Sequence, residues 1–313
     1  MAAHPKVSII IPVYGVEKFI EQCARSLFEQ TLDDLEYIFV DDCSPDNSIG
    51  VLKEIIEEYP HRKSQIKIVR MNINSGQAAV RRYGISLATG EYIIHCDSDD
   101  WVEKDMYNKL YSVAVNKDAD VVVCDFSVDN GNKSRIFEQN CPCDKLSAIK
   151  SLLRGAVHGA LWNKLVKRSL YSKMLYPTGN LCEDLCMNLQ FMFYANKICY
   201  ISYPGYHYRV NSCSITRQIT SEKIHNRLSQ FLPNYKLITD FLTNHNLLIH
   251  CKYELCHLKL NTRLDLCKIA KGDGYRIWLN VFPELGIKDV ILSSLDVKSK
   301  VKLILTFLRF YPF

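Results

Sequence analysis

Several features are missing from this 313-residue sequence, and each absence narrows the field. No uncharged apolar stretch reaches the ~18 residues that a bilayer-crossing helix needs, so no membrane-spanning segment is expected. Met1 to Lys6 lead straight into a strand-like run, without a charged start, apolar core and cleavage site, so no signal peptide is expected either. No Gly-x-Gly-x-x-Gly opens a helix and no Gly-Lys-Ser/Thr supplies a phosphate-binding loop, which disfavours dinucleotide oxidoreductases and P-loop enzymes. There is no internal repeat and no low-complexity tract. Thirteen cysteines include no Cys-x-x-Cys pair, and they read as reduced thiols of a cytoplasmic protein. His250, Cys251, Cys256 and His257 cluster in sequence, but at a spacing that suits zinc poorly. The net charge of +5 is too weak to demand nucleic acid as a partner, while it suits nucleotide phosphates or a phospholipid surface.

What is present is an alternating pattern. Apolar, β-branched runs at Val7 to Pro12, Tyr37 to Val40, Ile66 to Met71, Tyr92 to Cys96 and Val121 to Cys124 read as buried strands. Helical spacing falls between them at 18–30, 48–58, 77–88 and 104–116. Such alternation predicts an α/β fold with a mostly parallel central sheet flanked by helices, binding ligands beyond the carboxyl ends of its strands. From Phe126 to Leu146 the pattern dissolves into a loop or edge region. Beyond Ser221, apolar residues recur with helical spacing through Leu228, Phe231, Tyr235 and Ile238, then from Leu247 to Ile269, which predicts a helical C-terminal appendage.

The polar residues that carry chemistry stand at the ends of the expected strands. Asp41 and Asp42 follow the second strand, where a carboxylate can accept the imide N–H of uracil; Asp42, Ser44 and Asp46 can equally cap the next helix. Asp97, Ser98, Asp99 and Asp100 follow the fourth strand. Carboxylates so close repel one another unless a divalent cation neutralises them, although a solvated turn gives the same pattern. Asn74-Ser-Gly76 opens the third helix; Gly76 lets backbone approach a ligand, and Arg81 can meet phosphate or lock a carboxylate. Glu183 and Asp184 precede the apolar run Leu185 to Ala195, where a helix N-terminus stabilises ionised acids with or without catalysis. Trp162 suits a sugar ring or the core, and Arg209 a diphosphate or a surface ion pair.

Taken in order, Val7-Ser-Ile-Ile-Ile-Pro-Val-Tyr14, Val40-Asp-Asp-Cys-Ser-Pro-Asp46, Asn74-Ser-Gly76 with Arg81 and Gly84, Gly90 to Asp100, and Glu183-Asp184 resemble family-2 glycosyltransferases. The resemblance covers about residues 5–216. It implies a GT-A fold over 1–220, with a nucleotide-sugar-binding half to about 125 and an acceptor half after it, leaving 221–313 as the appendage. By the same resemblance, Pro12, Tyr14, Asp41, Asp42, Asn74, Gly76, Arg81, Asp97, Ser98 and Asp99 surround the donor, and Trp162 and Arg209 join them on the chemistry of their side chains. Asp99, with Asp97, holds Mn²⁺ or Mg²⁺, and Asp184 is the general base with Glu183 beside it. Cys43 and Arg82 depart from a frequent glycine and asparagine of the family.

The implied activity is inverting transfer of a hexose or N-acetylhexosamine from a UDP donor to a hydroxyl of a glycan or lipid-linked acceptor, in surface polysaccharide synthesis. A sugar-phosphate nucleotidyltransferase would share the nucleotide fold, but the Gly-rich, Arg/Lys-bearing loop is missing after the first strand. A non-catalytic binding module is argued against by the intact set of acids. The end of the chain, Lys298 to Phe313, joins lysines to apolar residues; it suits either peripheral contact with the inner face of the cytoplasmic membrane or packing on the appendage.

Overall fold

A computed structural model of the chain describes residues 4–131, 133–210, 224–270 and 274–310. Strand β1 (Val7–Val13) lies between β2 (Leu35–Asp41) and β4 (Tyr92–His95), with β3 (Ile66–Arg70) outside β2, all parallel. Alternating side chains send Val7, Ile9, Ile11 and Val13 to one face and Ile10 to the other. Helices α1 (Ile20–Phe28), α2 (Ser48–Glu58) and α4 (Met106–Asn116) cover the first face, and α3 (Gln77–Leu87) the second.

Beyond β4 the sheet becomes mixed. After the short β5 (Trp101–Val102) come β6 (Val121–Asp129), β7 (Ser134–Phe137), β8 (Lys164–Lys167) and β9 (Ile198–Arg209). The order across the sheet is β3-β2-β1-β4-β8-β6-β9-β5, with β7 paired to β6. Strand β8 runs antiparallel to both neighbours, so it separates β4 from β6. The mostly parallel pattern expected holds for the first four strands and for β6 with β9, while β5, β7 and β8 pair antiparallel.

The stretch after Phe126 read as loop or edge is a hairpin. Strand β6 continues to Asp129 and returns as β7, with Gly131 at φ 82° in the connection. Its polar composition belongs to a sheet edge, where one side of the hairpin meets water. Strand β9 absorbs the aromatic run 200–208 and buries Tyr206 completely.

Helices α5 (Lys145–Arg154) and α6 (Glu183–Tyr194) pack on the second face of the sheet together with part of α7 (Ile224–Asn244) and α8 (Leu248–Asp265). The rest of α7 joins α9 (Gly274–Asn280), α10 (Ile287–Leu292) and α11 (Val297–Phe307) around buried Trp278. Buried Arg263 ties this layer together, donating to the carbonyls of Leu279, Val281, Phe282 and Leu285. Among the described residues no helix is long and apolar enough to cross a membrane.

Candidate active site

Strands β2, β1 and β4 end side by side, so the loops that follow them share one cleft. After β1, Pro12 is half-buried and Tyr14 is 52% exposed. The next backbone N–H groups, of Gly15, Val16 and Glu17, donate to Ser44 Oγ, Ser48 Oγ and Asp46 Oδ2. Against the upward push of burial, hydrogen bonds from Ser48, the Glu17 N–H and Ser44 bring Asp46 down to about 2. Thus Asp46 serves both the start of α2, through the Ser48 N–H, and the loop of β1.

The paired aspartates divide their work. Asp41 Oδ1 accepts the Ser44 N–H at 2.7 Å and Oδ2 faces Arg70 Nε at 3.4 Å. It borders a cavity of about 340 Å³ lined also by Asn47, Lys53, Ile68 and Arg70. Asp42 spends both oxygens on the loop before α3, accepting the Ser75 N–H at 2.7 Å and the Gly76 N–H at 2.9 Å. It therefore shapes the cleft instead of capping α2, and Asn74 is left exposed beside it. Cys43 sits at φ 59°, the left-handed region that a glycine enters without steric cost, so the family's glycine and this cysteine meet the same turn.

After β4 the chain enters the acidic loop. Tyr206 organises it: its hydroxyl receives the Asp97 N–H at 3.1 Å and donates to Asp100 Oδ2 at 2.7 Å. The other Asp100 oxygen accepts the Arg209 N–H, so Asp100 is a structural member of the cluster. Burial, then Asp99 and Asp97, push its carboxyl well above the ordinary range. Ser98 is buried, and Asp97 takes Arg81 at 2.8 Å and Gln77 at 3.4 Å, both on Oδ1. No other described side chain hydrogen-bonds the Asp99 carboxylate, which burial and then Asp97 push up to about 6. A half-buried carboxylate that no other described side chain hydrogen-bonds, beside a second one, fits a divalent cation. Arg209 donates to the Asp99 carbonyl at 2.9 Å and lies over the Trp101 ring at 4.7 Å, so it belongs to this loop and not to a surface ion pair. Ser212 to Ser214, which follow it in the sequence, lie outside the described residues.

The last two acids arrive from far along the chain. Asn180 Oδ1 accepts the Ala78 N–H at 2.9 Å, which satisfies one of the free donors at the start of α3. This approach requires glycine at 76: φ is 80°, and a Cβ would stand 2.2 Å from Asn180 Nδ2. On the other side Asn234 of α7 donates to the Gly179 and Leu181 carbonyls. Helix α6 then starts at Glu183, two residues before the expected Leu185, so both acids occupy its first turn.

Arg81 is 3% exposed and donates to Glu183 Oε1 at 2.6 Å as well as to Asp97. Its two terminal nitrogens lock carboxylates, the second of the two readings of Arg81 from the sequence, while Nε is buried without a hydrogen-bond partner among the described residues. Burial and Asp184 push the Glu183 carboxyl up to about 8, with Arg81 opposing. Asp184 accepts the Leu185 N–H at 2.8 Å; burial raises its carboxyl, with Arg81 opposing. Asp97, Glu183 and Asp184 thus exceed the charge of the one guanidinium among them, and a proton or a cation must make up the difference.

Trp162 does not face the cleft. It is 3% exposed and stacks on Tyr206 at 4.2 Å, with Phe126 edge-on at 4.8 Å, so it cannot receive a sugar ring. The apolar residues around it claim it for the core. Sequence reasoning missed Gln77, Asn180 and Tyr206; Tyr206 had a signal, being an aromatic with strand spacing inside 200–208, whereas Asn180 had none.

A half-parallel, half-mixed sheet that gathers strand-end aspartates opposite a helix-borne acid pair defines a transferase of the GT-A fold. The chain belongs to glycosyltransferase family 2, whose model, "Glycosyl transferase family 2", matches residues 8–178. It is 30% identical over 296 residues to EpsH of Bacillus subtilis, named as a glycosyltransferase, covering 90% of this chain and 83% of that one. Among solved structures it resembles S. aureus TarS 1–349 in complex with UDP-GlcNAc, with a TM-score of 0.74, 18% identity and coverage of 96% and 89%. The mannosyltransferase PcManGT from Pyrobaculum calidifontis, in complex with GDP-Man and Mn²⁺, gives a TM-score of 0.55 at 15% identity, over 99% and 88%. At these identities the two structures speak for the fold.

Proposed function

We propose that this glycosyltransferase moves a hexose or N-acetylhexosamine from a UDP donor to a hydroxyl of a glycan or lipid-linked saccharide, inverting the anomeric centre, in surface polysaccharide synthesis. The observation that carries the reading is the sharing of Arg81 by Asp97 and Glu183, which brings the Asp-x-Asp loop and the start of α6 to one residue. Pro12, Tyr14 and Asp41 flank the nucleoside, Asp41 accepting the base N–H, while Asn74, Gly76 and Ser98 border the sugar diphosphate. The catalytic unit spans about 1–220, with its nucleotide-sugar half ending near 125 and the helical appendage beyond.

Asp99 and Asp97 Oδ2 would hold Mn²⁺ or Mg²⁺. A cation held there would neutralise the charge that develops on the leaving group. PcManGT with Mn²⁺ and TarS with UDP-GlcNAc support these choices by analogy of fold. Asp184, held by the Leu185 N–H and raised by burial, takes the proton of the attacking hydroxyl. Glu183 stays on Arg81 and fixes the first turn of α6, which positions Asp184. Every described cysteine is a free thiol, which supports the cytoplasm as the working compartment.

The test incubates a panel of UDP-sugars with the protein, with Mn²⁺ and then with EDTA. Release of UDP that requires the cation is expected. Release of pyrophosphate, or of no product from any donor in the panel, overturns the reading.

A further inference from the structure

Helix α11 is apolar on two opposite sides. Leu303 and Thr306 point inward and are buried, with Leu303 in the cluster around Trp278. At 100° per residue, Val297, Val301 and Leu308 form a stripe on the side away from Leu303, exposed at 78%, 49% and 48%. Ile291 and Leu292 at the end of α10, which packs against α11, are exposed at 57% and 63%, and Phe310 at 73%. The same 100° step sets Lys298 on one flank of the stripe and Lys300 on the other, where its Nζ donates to the Ile291 carbonyl at 2.8 Å. Between Val297 and Phe310 the chain carries Lys298, Lys300, Lys302 and Arg309 and no acid, against a net +5 for the whole protein.

We propose that this outward face of α10 and α11 docks the protein on an anionic phospholipid surface. Large apolar side chains gathered on one exposed face mark a contact surface. The lysines identify its occupant. An apolar stripe with lysines along both edges matches the boundary between acyl chains and headgroups, where lysine stems lie over the apolar layer and ammonium groups reach phosphates. Of the acids near α11, Asp296 accepts from Ser299 and Asp289 from the Gly286 N–H, each at a helix start, while Asp265 faces Lys302. A protein partner would need an apolar ridge fringed with carboxylates, whereas an anionic bilayer presents both features at every point.

The docking face is coupled to the site. The cluster beneath α11 also takes in Tyr235 of α7 and packs against Leu181 and Cys182, the two residues before Glu183. A membrane-held α11 therefore fixes the height of the acid pair above the lipid, as a lipid-linked acceptor requires. Only that last clause rests on the proposed acceptor; the docking itself stands on the face described. Tyr311 to Phe313 lie outside the described residues.

The experiment sediments the full chain with vesicles of phosphatidylcholine containing phosphatidylglycerol, and with phosphatidylcholine alone. Binding is expected on the anionic vesicles and is expected to fall with salt. Replacing Lys298 and Lys300 by Gln should weaken it by on the order of thirtyfold, while Arg at the same positions should retain it. Val297→Ser with Val301→Ser and Leu308→Ser should abolish it, with melting and UDP-sugar turnover in solution unchanged. Equal binding to both vesicle types, or unaltered binding of the Gln variant, overturns the proposal. So does a chain that is dimeric by light scattering, becomes monomeric in the Ser variant and ignores vesicles, since a second copy then occupies the face. Failure of turnover with intact vesicle binding would count against the enzymatic reading alone.

Discussion

Arg81 Nη1 stands 2.6 Å from Glu183 Oε1, across 102 positions of sequence, with both side chains almost wholly buried. The same guanidinium holds Asp97, so the helix after β3 carries the residue that joins the two acidic elements. Removing it strands carboxylates in a dry site. Arg81→Met should cost about 3–5 kcal/mol of stability, and Glu183→Gln in the same chain should recover part of that. Urea unfolding of the single and double variants measures it, and additive losses would show that the pair is not coupled.

The same contact has a pH consequence. Glu183 stands at about 8 in the fold against 4.5 as an ordinary glutamate, so folding takes up a proton between those values. Stability from this group is therefore greatest below 4.5 and declines as pH rises toward 8. Glu183→Gln should flatten that part of the stability profile, measured by denaturant unfolding without metal. An unchanged slope would assign the titration to another carboxyl.

Asp184→Asn keeps the size and the hydrogen bond to the Leu185 N–H but loses the capacity to take a proton. Transfer should fall by roughly 10²–10⁴-fold while UDP affinity persists. Because the Asp184 carboxyl is raised, the parental rate should fall on acidification at a pH above the usual carboxylate range. A folded Asp184→Asn protein that transfers sugar at the parental rate would reduce Asp184 to a helix-start residue and turn attention to Glu183.

Asp99→Ala should abolish the part of UDP affinity that depends on Mn²⁺, because Asp99 is the acid of the loop that no other described side chain engages. Calorimetric titration of UDP with Mn²⁺ and then with EDTA separates that part. Persistent metal enhancement in the variant would transfer the role to Asp97.

Trp162→Ala should cost about 3–5 kcal/mol through the cavity left beside Tyr206 and Phe126, whereas Trp162→Phe should cost less. Since Tyr206 positions the acidic loop, metal-dependent donor affinity should weaken along with stability. Thermal melting and UDP titration together test this, and lost donor affinity with unaltered melting would return Trp162 to the sugar.

What could be read along the chain was local. The Ser48–Glu58 helix coincides with its expected bounds, and β1 to β4 emerge from short apolar runs whose turn residues stop them. The acids at the strand ends were equally visible, because a buried strand that releases two or three carboxylates breaks its own pattern. Their division of labour was not. Asp41 and Asp42 are neighbours in sequence and differ in partners only because the Ser75–Gly76 backbone passes one of them.

The identity and order of the first elements followed from residue spacing, since periods of two and 3.6 are properties of short segments. Folding of distant segments decided the rest. Strand β8 enters between β4 and β6 by pairing over 73 to 75 positions with the first and 41 to 45 with the second, Asn180 reaches Ala78, and Trp162 sinks beneath Tyr206. No local period encodes such contacts. They form because burying a side chain and satisfying its polar neighbours is a property of the whole packed molecule, and that packing set Arg81 between Asp97 and Glu183.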